Sequence, residues 1–99
     1  MNRLTPGEEK IMLVLWKLKK AMVKDILPEL EDKTVSHNTV STVVRTLEQK
    51  KFIKHRGYNR KYIYYPKISR ESYREYLTKY LLKNYYEDKQ SFIAVVEHN

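Results

Sequence analysis

The sequence predicts a mainly α-helical fold that carries one small β-hairpin, and three observations predict it. Apolar residues recur at helical spacing in several separate segments, among them Ile11, Met12, Leu15 and Leu18, then Val40, Val43, Val44 and Leu47. One stretch, "KFIKHRGYNRKYIYYP", instead alternates and is rich in aromatic and β-branched residues on either side of Gly57-Tyr58-Asn59-Arg60. The chain has 99 residues and no cysteine, which bounds it to one small domain with an appended helical arm and excludes disulfide staples and thiolate chemistry.

Thr5-Pro6-Gly7-Glu8 opens the first helix. Thr5 is placed to cap, Pro6 sits where its missing N–H is harmless, and Glu8 completes a capping box. Lys17, Lys19 and Lys20 close it, since cations offset the dipole at a helix end. "VKDILPELE" predicts a second helix with Ile26, Leu27 and Leu30 inward, and Pro28 either near its start or kinking it. After the polar turn "EDKTV", Ser36 caps a third helix that runs to about Lys50. In the hairpin that follows, Gly57 and Asn59 can supply positive φ, and Pro66 ends the second strand. Helix, helix, helix, hairpin is the order of a winged helix-turn-helix, here over residues 1–67.

Residues 68–99 form the arm. Tyr73, Tyr76, Leu77, Tyr80 and Leu81 fall at i, i+3, i+4, i+7 and i+8, a broad apolar stripe, and Phe92, Ile93, Val95 and Val96 add a further apolar segment. Two copies packing these arms together would bury both, so Tyr73, Tyr76, Leu77, Tyr80, Leu81, Phe92, Val95 and Val96 are the expected homodimer interface. The alternative is an arm folded back on its own domain.

Charge is concentrated rather than spread. The chain carries a net +8, yet between Glu48 and Glu71 eight basic residues stand with no acidic one. That segment points to a polyanionic partner. Lys50, Lys51 and Lys54 would line the approach of a duplex, with Arg56, Tyr58, Arg60 and Lys61 at the tip and flanks of the wing, against phosphate or in the adjacent minor groove.

The third helix carries the sharper signal. Opposite its valine stripe stand Asn38, Thr39, Ser41, Thr42, Arg45 and Thr46, with Ser36 at its cap, where a solvated helix would carry Glu, Lys or Ala. Short hydroxyl side chains let a backbone approach base edges closely, and arginine can grip guanine or phosphate. The competing explanation is that these hydroxyls bond back to the preceding turn.

"LTPGEEKIMLVLW", "VKDILPEL", "NTVSTVVRTLEQKKFI", "YIYYP" and the Tyr-rich arm together resemble the penicillinase repressor family of bacteria. The resemblance implies a dimeric winged-helix repressor of a dyad-symmetric operator of double-stranded DNA, in several members controlling antibiotic-resistance genes. By the same resemblance Thr39, Thr42, Arg45 and Thr46 match recognition-helix positions. Several members are inactivated by cleavage in the arm, which would make a sensor-linked protease a partner. The chain departs from the family pattern at Lys50-Lys51, where a Lys-Gly turn is usual, and in an arm that ends at Asn99, where a last helix is expected to be missing. It lacks the cysteine-rich tail of the copper-responsive relatives, which argues against thiolate metal sensing.

An enzyme fits poorly. His37, His55 and His98 are scattered, and neither a carboxylate pair nor a glycine-rich phosphate loop accompanies them. No cofactor or metal is expected. Without a signal segment or an apolar run of about eighteen residues, the expectation is a cytoplasmic protein that engages no membrane. The rival reading is a winged helix used for protein contact, its tyrosines forming the partner surface.

Overall fold

The computed structural model describes residues 1–59 and 61–98. Its elements run α1 (Pro6–Leu18), α2 (Val23–Ile26), one 3₁₀ turn (Leu27–Glu29), α3 (His37–Gln49), β1 (Ile53–Arg56), β2 (Ile63–Pro66), α4 (Arg70–Tyr85) and α5 (Lys89–His98). Residues 2–69 form one compact unit, and Arg70 onward belongs with Met1 to a second.

The capping box of α1 forms as its residue types dictate: Glu8 N–H donates to Thr5 Oγ1 at 3.2 Å, and Thr5 N–H donates to Glu8 Oε1 at 2.9 Å. Ile11, Met12, Val14 and Leu15 of α1 are buried, and Leu18 is half-buried. The helix ends with Lys19 at φ 73°, its N–H bonded to Leu15 O. The expected second helix is split. Pro28 has no N–H to continue an α-helical ladder, so α2 stops after four residues and a 3₁₀ turn carries the chain on; Ile26 and Leu30 are buried, and Leu27 only half.

Val40, Val44 and Leu47 anchor α3 and are fully buried, whereas Val43 lies at the edge of that stripe, half-buried beside Leu13 and Thr39. The C-terminus of α3 is a Schellman motif: Phe52 N–H bonds Leu47 O and Lys51 N–H bonds Glu48 O, both at 3.0 Å, with Lys51 left-handed at φ 67°. Leu47 and Phe52, the apolar pair that accompanies such a motif, are both buried. This sharp stop turns the chain directly into β1.

Strands β1 and β2 pair antiparallel with Ile53 opposite Pro66 and His55 opposite Tyr64. Three sets of bonds fix the ribbon, two to the helical part and one between the hairpin's own ends. Ala21, after α1, exchanges two backbone bonds with Tyr64 at 2.9 and 2.8 Å, Trp16 Nε1–H donates to Ile68 O at 2.9 Å, and Lys67 N–H donates to Phe52 O at 2.8 Å. At the loop, Gly57 has φ 101°, and a Cβ there would collide with the Lys61 carbonyl oxygen. Only glycine suits that position.

In the second unit Tyr73 of α4 is buried, and Tyr76, Leu77, Tyr80 and Leu81 are half-buried. The Tyr86 ring meets Phe92 edge-on at 5.3 Å, and Tyr80 lies 6.2 Å from Tyr85. On α5, Ile93, Val95 and Val96 are exposed.

Candidate nucleic-acid interface

Because Val40, Val44 and Leu47 face inward, helical geometry puts Asn38, Thr42 and Arg45 at the centre of the outward face of α3, and all three are exposed. Gln49, one turn beyond Arg45, is exposed on the same face; its amide was overlooked in the sequence, although its spacing from Thr42 and Arg45 could have disclosed it. Thr39 and Thr46 flank this face, while Ser41 is half-buried on the side toward the ribbon.

The hydroxyls are not idle. Thr42 Oγ1–H donates to Asn38 O at 3.0 Å and Thr46 Oγ1–H to Thr42 O at 3.1 Å, so both protons are committed to the preceding turn. What these threonines offer outward is acceptor lone pairs and a methyl group. Ser36 Oγ accepts from Thr39 N–H at 3.1 Å and lies 2.9 Å from Thr39 Oγ1, so this pair serves the helix start. Arg45 Nε–H donates to Ser41 O at 3.2 Å.

The basic residues divide. Lys50 Nζ lies 2.8 Å from the buried Glu8 carboxylate, so its charge is paired within the protein. Burial alone would raise the Glu8 carboxyl, but the Lys50 bond and the bonds from Thr5 outweigh it, and its pKa lies below the ordinary value. Side chains alternate along a strand, so Lys54 and Arg56 point to the opposite face of the ribbon from His55, which faces α3; the Arg56 guanidinium lies over Tyr65 at 5.3 Å. Tyr58 and Lys61 are exposed in the loop, and Arg60 lies outside the described residues.

Between α3 and the ribbon is an open cleft of about 590 Å³, lined by Ser41, Arg45, Glu48, His55 and Tyr64 among others. His55 Nδ1 is 2.6 Å from Glu48 Oε2. Burial, with Glu48 adding to it, holds the Tyr64 phenol above its usual range. Scattered among the histidines in sequence, His55 is placed by its strand position: two residues after the buried Ile53, it lies on the face of the ribbon that meets α3.

A three-helix unit that presents a carboxylate-free face of amide, hydroxyl and guanidinium groups beside a ribbon with a cationic loop defines a winged-helix regulator. The chain matches the penicillinase repressor family over residues 4–99 and belongs to that family, whose members are DNA-binding transcriptional repressors. A search of curated proteins found no match. Among the described residues no group of side chains could hold a metal ion, and no helix is long and apolar enough to cross a membrane.

Proposed function

We propose that this chain represses transcription by binding a dyad-symmetric operator as a homodimer, with the outward face of α3 in the major groove. Asn38, Thr42, Arg45 and Gln49 are the reading set: the two amides match adenine, arginine matches guanine, and the threonine methyl suits thymine. Thr39 and Thr46 border it. Lys61 and Tyr58, with Arg60 between them in sequence, position the duplex from the wing loop without reading sequence. The observation that carries this reading is the outward stripe itself, which holds no carboxylate while Glu48, the only acid of α3, is turned aside against His55.

Homodimer formation through the arm is supported by the exposure of Ile93 and Val96 on α5, an apolar edge that a second arm would cover. The family resemblance favours antibiotic-resistance genes as the regulated class and a sensor-linked protease as the agent of release. Selection of bound sites from random duplex DNA tests the reading. An inverted repeat is the expected result; recovery of no preferred site would overturn it.

A further inference from the structure

The cleft between α3 and the ribbon holds a pair of groups that base reading does not itself use. His55 and Glu48 belong to different elements, and their 2.6 Å contact is a direct side-chain tie between the reading helix and the first strand of the wing. The His55 ring is further held 4.5 Å from the Tyr62 ring and 5.8 Å from that of Tyr64. An ionised carboxylate only accepts, so Nδ1 donates to Glu48, and gain or loss of a proton falls on Nε2.

We propose that His55 is a positioning residue for DNA reading, one that braces the wing against α3 through Glu48 and takes up a proton when the duplex binds. This rests on the DNA reading above. With His55 neutral, the pair carries a net negative charge beside Arg45, which a polyanion penalises. With His55 protonated, the pair is neutral overall, and the tie becomes a charge-assisted hydrogen bond. The field of the phosphates therefore favours the protonated form, and linkage requires that the proton in turn favours the complex.

The remaining groups around the cleft are Lys24 from α2, His37 and Arg45 from α3, and Tyr62 and Tyr64 from the ribbon side. Lysine, arginine and tyrosine side chains do not ordinarily titrate between about pH 6 and about pH 8. His37 is the one competitor. Its Nδ1 lies 3.4 Å from the Ser41 hydroxyl, where no charge assists a bond. The sign follows directly. The complex holds one proton more than the separate partners, so affinity rises as pH falls.

The test is the affinity of the full chain for a duplex recovered by selection, followed by fluorescence anisotropy at constant ionic strength from about pH 8 to about pH 6. Binding tightens as pH falls, by up to about tenfold per unit for one proton. His55→Gln, which can still bond Glu48, matches the unaltered chain near pH 8 but loses the pH dependence; His37→Gln keeps it. A slope that survives in His55→Gln, or disappears in His37→Gln, overturns the proposal. A readout free of substitutions is the NMR titration of the His55 ring, whose midpoint rises when the duplex is added; an unmoved midpoint also overturns it. Tight binding that ignores pH would defeat the brace alone, whereas failure to recover any duplex would defeat the DNA reading beneath it.

Discussion

The ammonium of Lys50 lies 2.8 Å from the carboxylate of Glu8, joining the residue that caps the end of α3 to the first turn of α1. The Glu8 side chain is only 6% exposed and that of Lys50 32%, so the pair is partly screened by solvent but costly to break from one side. A double-mutant cycle on Glu8→Gln and Lys50→Met, read by denaturant unfolding, is expected to give a coupling of about 1–2 kcal/mol. The pH sign is fixed by the lowered Glu8 pKa. Its contribution to stability is present above the ordinary value of 4.5 and is lost as pH falls through the lower folded-state value, and Glu8→Gln removes that part of the acid sensitivity.

Lys51 closes α3 in the left-handed region, where a Cβ is unfavourable. Lys51→Gly is expected to stabilise the protein by about 0.5–1 kcal/mol, the relief of strain exceeding the entropy that glycine loses on folding. Thermal unfolding checks this as a Tm a few degrees higher. Loss of stability would mean that the Lys51 side chain makes a compensating contact.

Gly57 is the opposite case, a position the wing loop cannot give to another residue. Gly57→Ala is expected to cost about 1–3 kcal/mol through its positive φ and the collision with the Lys61 carbonyl. If the loop positions DNA without reading it, affinity for selected and random duplexes falls by the same factor. A loss confined to the selected duplex would transfer the wing to the reading surface.

Much of the winged unit was legible because its determinants are local. The Thr5–Glu8 box, the Ser36 cap, the valine stripe of α3 and the glycine of the hairpin loop each act within a few residues and formed as expected, save that Val43 is only half-buried. Pro28 was legible as a disturbance but not as the boundary between a short helix and a 3₁₀ turn, because that depends on how Ile26 and Leu30 reach the core. The long-range ties of the winged unit were not legible. Ala21 with Tyr64, Glu8 with Lys50 and Trp16 with Ile68 join residues more than forty positions apart, and no sequence spacing encodes them. The same distance hid the pairing of Lys50 with Glu8, and strand alternation turned Lys54 and Arg56 from the side that faces α3.

Val96 is 58% exposed on α5, and a negative charge there should be harmless in a monomer but costly in an arm-to-arm interface. Val96→Glu is expected to weaken self-association without lowering the stability of the winged unit. Sedimentation equilibrium of the two proteins at matched concentrations decides it. Identical masses would remove this edge of α5 from the dimer interface.

The central claim is that the outward side of α3 distinguishes one DNA sequence from another, and the ratio of affinities for a selected and a random duplex measures that most directly. Arg45→Ala is expected to shrink this ratio by about 1–3 kcal/mol while leaving the salt dependence nearly as it was, whereas Lys61→Ala lowers both affinities together and flattens the salt dependence by about one phosphate. An unchanged ratio in Arg45→Ala and Thr42→Ala alike would contradict the account.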